Sequence, residues 1–189
     1  MFIVKKKYFL IIENIKDIDL KNIKIRNKFS IIYRNKKKID KLSDLFKFRQ
    51  KCKLKGIKFY IANKINLAIF LNCDGIYLSS FNKDLKFLKY KKIKFEIIGS
   101  AHNFREIALK IKQGCKFILF SKLFLVDYDK KAPFLGVLKF NNLKKISNFL
   151  IPLGGINSQN LNELKNVYSE GFAIQTELKK KPAIIRRLF

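Results

Sequence analysis

The stretch IPLGGIN, residues 151–157, joins a short apolar run to two glycines and then to a polar segment. Glycine has no side chain to pack and weakens a strand, so a glycine pair at a strand end needs a local reason. One such reason is a close approach of another group to the backbone at Gly154 and Gly155. The polar segment that follows, NSQNLNELKN, has helical character. We therefore interpret the stretch as a buried strand that ends at the glycine pair and leads into a helix.

The same pattern, an apolar run followed by an amphipathic segment, repeats along the chain. We predict eight strands, at 8–13, 29–34, 58–63, 75–80, 95–101, 116–124, 150–155 and 171–178. The runs are almost continuously apolar, which is typical of parallel strands buried on both faces. Eight alternating strand–helix units favour a single compact (β/α)8 TIM barrel that forms one domain over residues 1–189. The alternative is a doubly wound open sheet, which would need fewer strands.

The composition is globular, since 48% of the 189 residues are hydrophobic. No apolar run reaches the roughly 20 residues of a membrane span, and the run near the N-terminus, YFLII, is too short for a signal peptide. We therefore expect a cytoplasmic protein without membrane contact. Cys52, Cys73 and Cys115 are widely spaced, which indicates small buried side chains rather than a disulfide framework or a zinc site.

The formal net charge of +28 is a feature of proteins that bind nucleic acid. The lysines are spread along the whole chain rather than forming one stripe. Lysine also far outnumbers arginine, the residue that usually makes specific contacts with nucleic-acid bases. The joint abundance of Ile, Asn, Phe and Lys is what an A/T-biased coding sequence produces. Polyanion binding stays open as an alternative function, and even a charge that reflects bias would attract anionic substrates.

In a (β/α)8 barrel the chemistry lies at the carboxyl ends of the strands. The predicted strand ends carry cationic, amide and hydroxyl groups and exposed backbone N–H groups with almost no carboxylate, a set that suits phosphate or diphosphate. Arg34 and Lys36 could equally be solvated charges, Lys122 could point into the rim or out to solvent, and Thr176 could be an ordinary strand residue. The candidates are Arg34, Lys36, Asn63, Lys64, Ser100, Lys122, Gly154, Gly155 and Thr176.

Four ordered segments resemble the thiamine phosphate synthase and thiazole tautomerase superfamily. IIYRNKK is similar to the family's Q-x-R-x-K, and YIANKINLAIFLNCDGIYLS is similar to I-I-N-D-R-x-D-L-A…A-D-G-V-H-L-G-Q. IIGSAHNFREIALKIKQGCKFILFSKLF and IPLGGINSQNLNEL…EGFAIQTEL resemble the segments around the family's strands 5 to 8. Several spaced segments in order are more specific than any one of them.

The resemblance implies an enzyme of thiamine biosynthesis that couples an aminopyrimidine diphosphate to a thiazole phosphate and releases diphosphate with the help of magnesium. By matching position, Arg34, Lys36 and Asn63 would hold the diphosphate, with Ser100 nearby. Gly155, together with Thr176 in place of the family's serine, would hold the thiazole phosphate. This fits a reaction that depends on positioning and on stabilising the charge of a leaving group.

The chain departs from the family pattern where the metal would bind. Lys64 replaces the aspartate that the resemblance assigns to magnesium, and the next acidic ligand has only Asn82 or Asp84 as its nearest match. Magnesium prefers hard oxygen ligands, so this set disfavours the ion, and we predict no other metal or cofactor. Lys64 could supply a fixed positive charge in the ion's place, or it could mark a lost activity. The family's His and Gln in H-L-G-Q are Tyr77 and Ser80 here.

The tautomerase branch of the superfamily offers an alternative function, because it moves protons without a metal. It uses a histidine in the strand-6 motif, where this chain has Lys122. A lysine desolvated among apolar neighbours could act as the base. A non-catalytic relative that binds phosphate ligands is the other alternative.

Overall fold

The computed structural model describes residues 5–35, 39–93, 95–126, 129, 131–147 and 149–175. Two predicted site residues, Lys36 and Thr176, lie outside these ranges. Eight parallel strands close into a barrel in sequence order, so the prediction of a (β/α)8 barrel is confirmed. The strands are β1 Lys7–Ile12, β2 Phe29–Tyr33, β3 Lys58–Ala62, β4 Gly75–Leu78, β5 Glu96–Ala101, β6 Phe117–Ser121, β7 Leu150–Leu153 and β8 Gly171–Ile174.

Within the described ranges, four α-helices cover the outside of the barrel: α1 Leu42–Leu54, α2 Ile65–Phe70, α3 Phe104–Lys112 and α4 Gly136–Ile146. The predicted helical segments after β4 and β7 form 3₁₀ turns instead, Lys86–Ile93 and Leu161–Asn166. The carbonyl oxygen of the Asn157 side chain accepts from the N–H groups of Gln159 and Asn160 before the second of these turns. These local bonds favour a tight turn over a regular helix.

Helix α1 packs one face against the core of the barrel. Its buried residues are Leu45, Phe48, Arg49 and Cys52, at the spacing of one helical face. Leu42 and Phe46, whose spacing from Leu45 and Arg49 in the sequence also favours that face, are 52% and 45% exposed. Arg49 can be buried because its guanidinium pairs with Asp74 at 3.2 Å and donates to the Asn72 carbonyl at 3.0 Å.

The strands separate two apolar layers, because alternate side chains point to opposite faces. On β1, Phe9 and Ile11 fill the barrel interior, while Tyr8, Leu10 and Ile12 pack outward against the helices. Every strand is thus buried on both faces, which explains the near-continuous apolar runs.

A charged cluster lies at the amino-terminal end of the barrel. Glu96 at the start of β5 accepts from the ammonium groups of Lys58 and Lys116, at 2.7 and 2.6 Å, and from the Tyr60 hydroxyl. Burial by itself would raise the pKa of Glu96, but these three donors outweigh it and lower the pKa to about 2.

The three cysteines are buried and free, as the sequence predicts. Burial raises the pKa of each thiol to about 12, so they pack as small apolar side chains and have no thiolate character.

Candidate functional site

Asn63 lies at the carboxyl-terminal rim, where its side chain links the end of β3 to the end of β4. Its backbone has a φ of 58°, a left-handed conformation that asparagine tolerates better than most residues. Its side-chain oxygen accepts from Ser79 N at 3.1 Å and from Asn82 Nδ2 at 3.1 Å, while its Nδ2 donates to Ser79 Oγ at 2.8 Å. The oxygen is therefore fully used by protein donors. Within the described ranges, one N–H of the amide is left without an acceptor, and that group suits an anion.

Tyr77 of β4 lies in the barrel interior beneath this rim, with Ser100 of β5 beside its hydroxyl and the charge of Arg34 acting on it. The Tyr77 hydroxyl is fully buried and makes no hydrogen bond to any described residue, although the Ser100 side chain lies beside it outside hydrogen-bonding geometry. Burial raises the pKa of Tyr77, and the nearby positive charge of Arg34 partly offsets that effect. Of the residues predicted for the diphosphate, Ser100 thus lies beside this hydroxyl, and the charge of Arg34 acts on it. The sequence marks Tyr77 only as a departure from the family pattern.

The glycine pair lies against the chain that follows β6. Gly154 and Gly155 have φ values of 92° and 70°. A Cβ atom on Gly155 would be 2.4 Å from the carbonyl oxygens of Phe124 and Leu125, and one on Gly154 would be 3.2 Å from Lys122 Cα. The close approach expected at this pair is thus an approach of protein backbone, and glycine is required there whether or not a phosphate binds.

Lys122 lies at the same rim beside Gly154, in a less apolar setting than predicted. Its side chain is 23% exposed, and its ammonium is 3.8 Å from Asp129 Oδ2. It is therefore not enclosed only by the apolar neighbours on which its predicted role as a base depended. That role stays a prediction.

Lys64 and Glu13 add one charge of each sign to the rim. Lys64 is exposed at the start of α2, with its backbone N–H donating to Ala62 O at 2.8 Å. Glu13 directly follows β1, where Gln175 Nε2 lies 3.4 Å from its Oε1. The strand ends predicted to form the rim start with the second strand and so omit Glu13, although the run YFLIIE ends in it.

The described residues at the positions that the family resemblance assigns to magnesium do not fit the ion. Asn63 and Asn82 each use the side-chain oxygen for protein donors, since Asn82 Oδ1 accepts from Asp84 N at 3.0 Å. The Asp84 carboxylate pairs with Lys86 at 2.6 Å, and Lys64 carries the wrong charge. Across the described part of the chain, no three His, Cys, Asp or Glu side chains are grouped so that they could hold a metal.

A model described as thiamine monophosphate synthase matches residues 3–178. The chain belongs to this family. This family of thiamine biosynthesis acts on small-molecule phosphate substrates. A thiamine-phosphate synthase of Prochlorococcus marinus subsp. pastoris is 31% identical over 129 residues, which cover 67% of this chain and 37% of the relative. A thiamine-phosphate synthase of Clostridioides difficile is 24% identical over 149 residues, which cover 78% of this chain and 71% of the relative.

The chain spans well under half the length of the Prochlorococcus relative. This match therefore does not assign the activity of that whole protein to this chain. Among solved structures, a thiamine phosphate pyrophosphorylase from Pyrococcus furiosus superposes with a TM-score of 0.73 over 97% of this chain and 94% of that chain. At 17% identity this match supports the barrel fold alone. None of the helices in the described ranges is long and apolar enough to cross a membrane.

Proposed function

We propose that this chain is a divergent thiamine phosphate synthase that couples an aminopyrimidine diphosphate to a thiazole phosphate without a resident metal ion. The observation that carries this proposal is the buried Tyr77 hydroxyl, which has no partner among the described residues, with Ser100 beside it and the charge of Arg34 acting on it. One Asn63 N–H at the rim also has no acceptor within the described ranges. Family membership over residues 3–178 supports the reaction class.

The reaction needs the diphosphate leaving group to gain stability as the bond to the pyrimidine carbon breaks. A guanidinium and an amide N–H stabilise developing negative charge when they are fixed in a site sheltered from water. In our proposal Arg34 and Asn63 fill that role, and Lys64 adds a cation near the position that the family resemblance assigns to the metal. Lys36, Gly155 and Thr176 stay predictions, the last two for the thiazole phosphate.

The test is an incubation of purified protein with both phosphorylated precursors, with magnesium in one arm and EDTA in the other. We expect thiamine phosphate in both arms. An authentic synthase run in parallel should form product only with magnesium, which validates the chelator. No product in either arm, while the authentic enzyme succeeds, would overturn catalysis by this chain.

A non-catalytic phosphate-binding relative is the second candidate, and the lack of fit to magnesium favours it. Calorimetry with thiazole phosphate and inorganic diphosphate separates the two candidates when combined with the incubation. Binding without turnover would support the non-catalytic relative. Absence of binding, together with retention on DNA at physiological salt, would instead favour polyanion binding, which usually weakens steeply as salt rises.

A further inference from the structure

Lys110 is a buried cation in α3 that the proposed reaction does not use. Its side chain is 0% exposed, and its ammonium donates to Ser79 O at 2.8 Å, Asn82 O at 2.8 Å and Gln113 Oε1 at 2.9 Å. Three acceptors match the three N–H bonds of an ammonium, so the charged form satisfies every partner. Burial lowers the pKa of Lys110, and no carboxylate contacts its ammonium in the described ranges.

The path of Lys110 depends on a glycine in the neighbouring strand. A Cβ on Gly99 of β5 would be 2.8 Å from Lys110 Cδ and 3.2 Å from its Cγ. The lysine stem therefore crosses β5 at a position without a side chain, and its ammonium reaches the carboxyl-terminal end of β4. This cation is built into the interface between helix and sheet.

Lys110 and Gln113 together hold the loop after β4, residues 79–84, in place through hydrogen bonds. Gln113 Nε2 donates to Asn82 O at 3.0 Å and to Asp84 O at 2.9 Å. With the two carbonyls bound by Lys110, backbone oxygens at Ser79, Asn82 and Asp84 are all held from α3. The same loop supplies the groups that fix the side chain of Asn63.

This loop carries Asn82 and Asp84, the nearest matches to the family's second acidic magnesium ligand. Neither fits the ion, yet the loop is held at its backbone by a protein cation. We propose that Lys110 is a positioning residue that fixes this loop, and through it Asn63, so that diphosphate binds at the rim without a divalent cation. The proposal rests on the proposed function, because it takes diphosphate as the ligand of Asn63.

The experiment measures binding of inorganic diphosphate and of thiazole phosphate by calorimetry in EDTA, for the full chain and for Lys110→Met. Methionine keeps the length of the stem and removes the donors. We expect diphosphate affinity to fall at least tenfold, while thiazole phosphate affinity changes less than twofold. The matched control is Lys112→Met, which removes the same charge from an exposed position on α3 and should change neither affinity.

Hydrogen–deuterium exchange of residues 79–84 supplies a readout that needs no ligand. Exchange there should accelerate in Lys110→Met and stay unchanged in Lys112→Met, because the N–H groups of Ser79, Asn82 and Asp84 all bond within this network. If Lys110→Met does not fold, Gln113→Met is the second variant, because it removes two of the hydrogen bonds to the loop. It should weaken diphosphate binding about threefold and also accelerate exchange in residues 79–84.

The outcomes separate this inference from the function on which it rests. No diphosphate binding to the unmodified chain would overturn the proposed function. Equal diphosphate affinity in Lys110→Met, or an equal loss for both ligands, would overturn the positioning role while leaving the function standing. Binding that requires magnesium would overturn the positioning role and the metal-free part of the proposed function, while leaving the reaction class standing.

Discussion

Gly155 lies directly against the backbone of Phe124, so closely that a Cβ on Gly155 would be 2.4 Å from the Phe124 carbonyl oxygen. Gly155→Ala should therefore destabilise the protein by more than about 3 kcal/mol, because the new methyl group cannot be accommodated without moving the segment after β6. The left-handed backbone alone costs a non-glycine residue about 1–3 kcal/mol. Urea denaturation measures the loss of unfolding free energy.

Gly136→Ala is the matched control for this substitution. Gly136 has the same φ of 70°, but a methyl group added there would meet no atom of another described segment within 4 Å. Its alanine variant should lose only about 1–2 kcal/mol, the cost of the left-handed backbone for a residue with a Cβ atom. Equal losses at the two positions would show that the contact with Phe124 is unimportant.

Tyr77→Phe should leave the ligand-free protein equally stable or make it more stable by up to about 1 kcal/mol, because it removes a buried hydroxyl that has no described partner. Tyr60→Phe should do the opposite and cost about 1–2 kcal/mol, since the Tyr60 hydroxyl donates to Glu96. Thermal denaturation of both variants without ligand measures these two changes in stability. A clear loss of stability in Tyr77→Phe would show that its hydroxyl is bonded in the free protein.

Arg34→Gln should weaken the binding of inorganic diphosphate about tenfold to a hundredfold, because a hydrogen bond to a charged group contributes about 1.5–3 kcal/mol. The control is Arg105→Gln, an exposed position on α3 that loses the same charge. Calorimetry should find its affinity within a factor of about two of the unmodified chain. Similar losses in both variants would point to the general field of a highly basic protein rather than to a site at Arg34.

Glu96 should make stability depend on pH in the acid range. Its folded-state pKa of about 2 lies below its ordinary value of 4.5, so its contribution is present above pH 4.5 and is lost as the pH falls towards 2. Glu96→Gln should cost about 1–3 kcal/mol at pH 7 and flatten the decline of stability within that window.

Urea titrations between pH 2 and pH 7 measure this contribution. Glu170→Gln is the comparison, because Glu170 forms an exposed pair with Lys7 and its loss should cost less than about 0.5 kcal/mol. An unchanged pH profile in Glu96→Gln would contradict the assignment.

The eight strands could be predicted because strands buried on both faces are almost continuously apolar, and this signal is local in sequence. The face of α1 is harder to predict, since Phe46 and Phe48 are both apolar and only packing decides that Phe48 is the buried one. The order of the strands around the rim could also be predicted, but not the last residue of each strand: the predicted sixth strand reaches residue 124, whereas β6 ends at Ser121. The meeting of the glycine pair with the backbone after β6 could not be predicted either, because that contact joins two loops far apart in the chain.

Lys110 could not be predicted for a different reason. A lysine in an amphipathic helix is ordinarily solvated, and a chain with 42 lysines and arginines offers many of them. A signal was present, since Lys110 lies three residues after buried Ile107 and so falls on the inward face of α3. Its partners are mostly backbone carbonyls of another loop, and no sequence pattern indicates a carbonyl acceptor.

The hydrogen bonds that hold residues 79–84 in place also affect the kinetics of ligand binding. A loop already held by Lys110 and Gln113 does not have to be ordered when an anion arrives, so no slow closing step is expected at this end of the barrel. Association should then be limited by diffusional encounter, which the net charge of +28 accelerates for anionic ligands. Added salt should slow association steeply and leave the lifetime of the complex nearly unchanged.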